Sequence, residues 1–95
     1  MESQNIEYKE CWRDEYLKWV CGFANAQGGK LYIGIDDRGN VCGVANAHRL
    51  SEDIPNKVRD TMGIVVDIDL HNADGKEFVE ITVPAHQYPV NYKGE

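Results

Sequence analysis

Two short groupings in this chain have residue types that can do chemistry. Glu7 and Lys9 stand two apart in Asn5-Ile-Glu-Tyr-Lys-Glu10. If that segment is a strand, both side chains leave the same face. A carboxylate beside an ammonium can hold a divalent metal and neutralise a phosphate, or it can be a plain surface ion pair. Asp36 and Asp37 are adjacent carboxylates at the end of Leu31-Tyr-Ile-Gly-Ile-Asp36. By alternation Asp36 points away from the core, while Asp37 opens a turn, where an aspartate can also cap the turn backbone. Whether Asp37 does chemistry depends on whether it approaches Glu7.

Other candidates are weaker. Asn25-Ala-Gln-Gly-Gly-Lys30 has the composition of a phosphate loop, but Leu31 stands where Ser or Thr is needed. The order is also helix, loop, strand, so a helix C-terminus would face the anion. ATP is therefore not expected at this segment. His48, His71 and His86 are scattered, and Cys11, Cys21 and Cys42 lack zinc-type spacing. Nucleophilic catalysis has no grouping to support it, and the cysteines read as reduced thiols of a cytoplasmic protein.

These residues need elements to position them. Ile6 and Tyr8 alternate with Glu7 and Lys9, predicting a first strand over 5–10. Trp12, Tyr16, Leu17, Val20, Phe23 and Ala24 then follow helical spacing, and the helix is expected to stop at Gly28 or Gly29. Gly22 within it suggests a close packing contact. Leu31 to Asp36, the turn Asp37-Arg-Gly-Asn40 and Val41 to Val44 read as a β-hairpin. Ser51 is the expected N-cap of a second helix that buries Leu50, Ile54, Val58 and Met62 and ends at Gly63. Pro55 is placed in its first turn, where no N–H partner is lost. Ile64 to Leu70 and Phe78 to Val83 predict two more strands joined through Asn72-Ala-Asp-Gly75. The fold class is α+β, a single domain with two helices and a mostly antiparallel sheet in the order β-α-β-β-α-β-β.

Composition narrows the function. The 95 residues suit one small domain, and no apolar run can span a bilayer, so no membrane partner is expected. The net charge of −6 argues against a wholly nucleic-acid-coated surface. Residues 1–50, however, hold seven acids against six bases, and residues 51–95 nine acids against four. A nucleic-acid face would come from the first half, with Lys9, Arg13, Lys18, Lys30 and Arg38 as its phosphate contacts.

The ordered series Glu2-Ser-Gln-Asn-Ile-Glu-Tyr-Lys9, Phe23-Ala-Asn-Ala-Gln-Gly-Gly29, Tyr32-Ile-Gly-Ile-Asp-Asp37 and Val41-Cys-Gly-Val44 resembles the Schlafen/AlbA-like DNA-binding domain family, once called a divergent AAA domain. The resemblance is closest over residues 2–44 and continues by hydrophobic pattern to Pro89-Val90. It implies a domain over 1–95, shortened at its C-terminal end. It further implies the N-terminal module of a longer bacterial protein, a transcriptional regulator or helicase-related chain, that binds DNA or RNA. Nuclease members of the group use three carboxylates, which fall here on Glu2, Glu7 and Asp37 with Lys9 alongside. Those acids would hold Mg²⁺ or Mn²⁺; as a binding module the domain needs no cofactor. The alternatives to a nucleic-acid-binding module are thus a metal-dependent endoribonuclease-like site and an oligomerisation or scaffold module. A homodimer could supply a second lobe.

Overall fold

The computed structural model describes residues 5–92, so Glu2 lies outside the described residues. β1 (Ile6–Lys9) leads through a short 3-10 turn (Asp14–Tyr16) into α1 (Leu17–Asn25), β2 (Gly29–Ile33), α2 (Ala47–Met62), β3 (Asp67–Ala73) and β4 (Lys76–Val83). The four strands form one sheet in the order β1-β2-β4-β3. β2, β4 and β3 pair antiparallel, whereas β1 and β2 run parallel. That parallel pairing requires a crossover, which α1 provides. The sheet is therefore mixed.

Leu17, Val20, Phe23 and Ala24 of α1 are buried, as their spacing predicts, and Trp12 and Tyr16 pack against the core from the preceding turn. The helix starts only at Leu17. It ends because Gly28 takes a left-handed φ of +81° and returns its N–H to the Phe23 carbonyl at 2.8 Å. A Cβ on Gly28 would lie 2.7 Å from the Val83 carbonyl oxygen, and one on Gly29 would lie 2.6 Å from the Phe23 ring. The glycine pair thus lets α1 turn directly into the sheet. Gly22 differs from the expectation: no group lies within 4 Å of where its Cβ would stand.

Three further boundaries differ from the sequence reading. The hairpin over 31–44 closes with a single bridge, Ile35 to Val41, and no strand forms at Val41 to Val44. Gly34, at φ +106°, bends the chain out of the ladder, and its carbonyl accepts the N–H groups of both Cys42 and Gly43. α2 begins at Ala47, after Asn46, because Ala47 extends the stripe of Leu50, Ile54 and Val58 by one turn. Ser51 is consequently inside the helix, its hydroxyl donating to the His48 carbonyl, and Pro55 lies mid-helix. Lastly, Ile64 and Val66 are buried, but β3 starts at Asp67. Its register pairs Asp67 with Thr82, which leaves only Val83 of β4 beyond that pair before Pro84, a residue with no N–H to extend the ladder.

Both helices pack on one face of the sheet. Leu31, Ile33, Val79 and Ile81 are fully buried between them and the strands, with Val20, Ile54 and Val58 opposite.

Candidate nucleic-acid interface

Strand register decides which face each candidate occupies. Glu7 pairs with Leu31 and Lys9 with Ile33. Since Leu31 and Ile33 point into the core, Glu7 and Lys9 leave β1 on the helix side, at the edge of the sheet. There the Lys9 ammonium lies 3.2 Å from the Glu7 carboxylate. It also lies 4.9 Å from the centre of the Tyr16 ring and 5.7 Å from that of Trp19. The carboxylate is only 16% exposed and the ammonium side chain 26%. This is an ion pair roofed by aromatic rings, in which the ring faces add cation–π attraction. Trp19 remains 42% exposed beside it, although its ring also leans on Phe23.

The second grouping resolves differently. Asp36, not Asp37, caps the turn: its Oδ1 accepts the backbone N–H groups of Arg38 and Asn40, each at 2.9 Å. Those bonds, led by the one from Asn40, hold its carboxyl below the ordinary carboxylate range. Asp37 is exposed in the turn. It shares a shallow recess with Glu10, Asp36, Arg38 and Asn40. Glu10, one residue past β1, lines this recess from the first strand's end. Among the described residues no group of three His, Cys, Asp or Glu side chains could hold a metal ion. Of the three carboxylates that the resemblance implies, Glu7 is engaged by Lys9, Asp37 stands in the exposed turn, and Glu2 lies outside the described residues.

The five basic candidates occupy different places. Lys9 is on the helix side. Lys30, which pairs with Thr82, is on the opposite face, donating to Glu80 and to the Thr82 hydroxyl. The hydrogen bond to Glu80 raises the Lys30 ammonium above its usual value and, reciprocally, holds the Glu80 carboxyl below its own. Lys30 is therefore committed within the sheet. Arg13 and Lys18 are exposed on the approach to α1 and on its first turn, and Arg38 is exposed in the turn after β2. Arg13, Lys18, Lys9 and Trp19 all belong to the β1–α1 end of the domain.

One residue of the Phe-Ala-Asn series has a role that sequence reasoning missed. Asn25, in the last turn of α1, donates from Nδ2 to the Val90 carbonyl at 2.8 Å and accepts the Val90 N–H on Oδ1 at 2.7 Å. Its amide imitates a strand partner and fastens the segment after β4 along α1. Cys21 adds a thiol contact to the same carbonyl at 3.3 Å. A polar side chain closing a predominantly apolar helix was the available signal, but the partner lies 65 residues away. Lys57 of α2 similarly reaches the Asp14 carboxylate at 2.7 Å, which also accepts the Trp12 indole N–H.

Two helices on one face of a four-stranded mixed sheet, with the Glu7–Lys9 pair on its edge strand, define a small two-layer α+β domain. The chain belongs to the Schlafen AlbA_2 family, whose model matches residues 2–95. Solved structures share the fold. The DIP2311 protein from Corynebacterium diphtheriae superposes with a TM-score of 0.75 at 21% identity, over 94% of this chain. The chain spans 19% of the length of that protein. The N-terminal domain of a protein from Nitrosomonas europaea, described as related to the ATP-dependent DNA helicase RecG, also gives a TM-score of 0.75. There the identity is 22%, and 98% of this chain is matched to 72% of that one. Among the described residues no helix is long and apolar enough to cross a membrane.

Proposed function

We propose that this domain is a nucleic-acid-binding module acting within a longer regulatory chain, and that it binds through the β1–α1 end. The observation that carries this is the exposed Trp19 ring standing over Lys9, with Arg13 and Lys18 exposed on the same segment. An exposed ring supplies a stacking surface for an unpaired base, and the cations supply phosphate contacts that are sensitive to salt. The family membership and the helicase-related neighbour support the same reading. Glu7 then serves to orient Lys9 under the rings.

Fluorescence anisotropy with labelled single-stranded RNA, single-stranded DNA and duplex DNA tests this. Binding is expected at low salt, strongest for one of the single-stranded probes. It should weaken steeply toward physiological ionic strength, and the Arg13→Ala/Lys18→Ala double variant should bind about tenfold more weakly. A folded protein that binds none of the probes at low salt would sink the proposal. The same samples, given Mn²⁺ and a structured RNA, separate binding from hydrolysis. Cleavage that disappears in Glu7→Gln and in Asp37→Asn would replace the binding role with the nuclease one.

A further inference from the structure

The face of the sheet away from the helices carries a row of rings, one from each strand. Tyr8, Tyr32, Phe78 and His71 follow one another across β1, β2, β4 and β3, with centroids 5.7, 6.4 and 4.9 Å apart. Register produces the row, because Tyr8 is paired with Tyr32 and His71 with Phe78. Both helices pack on the other face, so neither described helix covers it. The polar groups among the rings are carboxylate-rich. Glu80 is 12% exposed and accepts from Lys30, from the Tyr32 hydroxyl and from His71, so the Lys30 charge is neutralised within the sheet. Asp67 and Asp69 of the edge strand pair with Thr82 and Glu80, share this face, and are exposed. Along β2, β4 and β3 the carboxylates Asp67, Asp69 and Glu80 outnumber Lys30 and Lys76.

We propose that this face docks an arginine-bearing basic segment of a partner polypeptide, with a guanidinium group on the Tyr32 ring and Asp67 and Asp69 as counter-charges. Charge selects this occupant. A phosphate backbone would be repelled by Asp67 and Asp69, and a second copy of the chain would bring the same carboxylates against them. A guanidinium is planar, weakly hydrated and able to fork onto a carboxylate while stacking on a ring; a lysine ammonium offers only a point charge. The docking surface lies on the opposite side of the sheet from Lys9 and Trp19, so it stands or falls independently of the nucleic-acid role.

The test is an NMR titration of the ¹⁵N-labelled chain with a synthetic peptide of alternating Arg and Gly, and with its Lys counterpart. The Arg peptide should shift the amides of Tyr32, Phe78, His71 and Asp69 while leaving Leu17–Asn25 in place. It should bind about threefold more tightly than the Lys peptide. Asp67→Asn/Asp69→Asn, two exposed edge substitutions, should weaken it about fivefold or more, with the spectrum of the free protein altered only around the substituted positions. A second variant, Tyr32→Leu, should erase the preference for Arg over Lys. An absence of shifts on this face, undiminished binding by the double variant, or shifts of these amides by single-stranded RNA in place of the peptide would each overturn the proposal.

Discussion

Removing the Asn25 amide should free the segment after β4. In Asn25→Ala both hydrogen bonds to Val90, at 2.7 and 2.8 Å, are lost. Neutral bonds of this kind contribute about 1 kcal/mol each, giving about 2 kcal/mol. Val90 is only 8% exposed, so its detachment would add part of the burial of a valine side chain. Asn25→Asp sharpens the case: one carboxylate oxygen still accepts the Val90 N–H, but the other now faces the Val90 carbonyl with no proton between them. Its cost should equal or exceed that of the alanine variant. For a domain of this size a urea slope of about 1.3 kcal/mol/M converts 2 kcal/mol into a midpoint lowered by about 1.5 M. Urea melts followed by far-ultraviolet circular dichroism give that midpoint, and hydrogen exchange at the Val90 amide reports the segment itself. A midpoint within about 0.3 M of the unsubstituted protein, with Val90 protection unchanged, would refute the assignment of Asn25 as the fastener.

The glycines of the α1 region should respond in opposite directions. Gly22→Ala enters a helix with open space around the new Cβ and should stabilise by about 0.5–1 kcal/mol. Gly28→Ala must adopt a left-handed φ against the Val83 carbonyl and should cost about 2–4 kcal/mol, read from the same melts. Glu80→Gln should cost about 1–2 kcal/mol at neutral pH, since the carboxylate serves Lys30, Tyr32 and His71. Because folding lowers the Glu80 value below its ordinary 4.5, its contribution is complete above that pH. It is lost as pH falls through the lower folded value. Stability of the Gln variant should therefore change less across this acid window than that of the parent, as measured by urea midpoints at pH 7, 4.5 and 3. The Lys30 side of the pair has the opposite sense: it stabilises below 10.5 and is lost as pH rises through its raised folded value.

Local periodicity made much of the fold legible. The stripe from Leu17 to Ala24 carries its own burial pattern, and the glycine pair after it names the stop. The Asp74-Gly75 turn likewise joins β3 to β4 where expected. What periodicity does not carry is pairing across the sheet. Alternation in 5–10 separates Glu7 and Lys9 from Ile6 and Tyr8, but only the parallel register with β2 assigns the charged pair to the helix side. The hairpin over 31–44 read as a ladder because its apolar residues alternate; Gly34 ends the ladder by conformation, which alternation does not register. Turn chemistry specifies a residue type within a position or so, which does not separate Asp36, the actual cap, from Asp37. The Lys30–Glu80 pair is likewise outside the reach of local pattern, because its two members lie 50 residues apart.

The most direct measurement of the account is the fluorescence of Trp19 alone, in a Trp12→Phe protein, as single-stranded oligonucleotide is added at low salt. Stacking of a base on the exposed ring predicts saturable quenching, reversed by salt and lost together with affinity in Trp19→Ala. Binding that leaves Trp19 emission unchanged, or a Trp19→Ala protein that binds as tightly as its parent, would contradict the placement of the nucleic acid at the β1–α1 end.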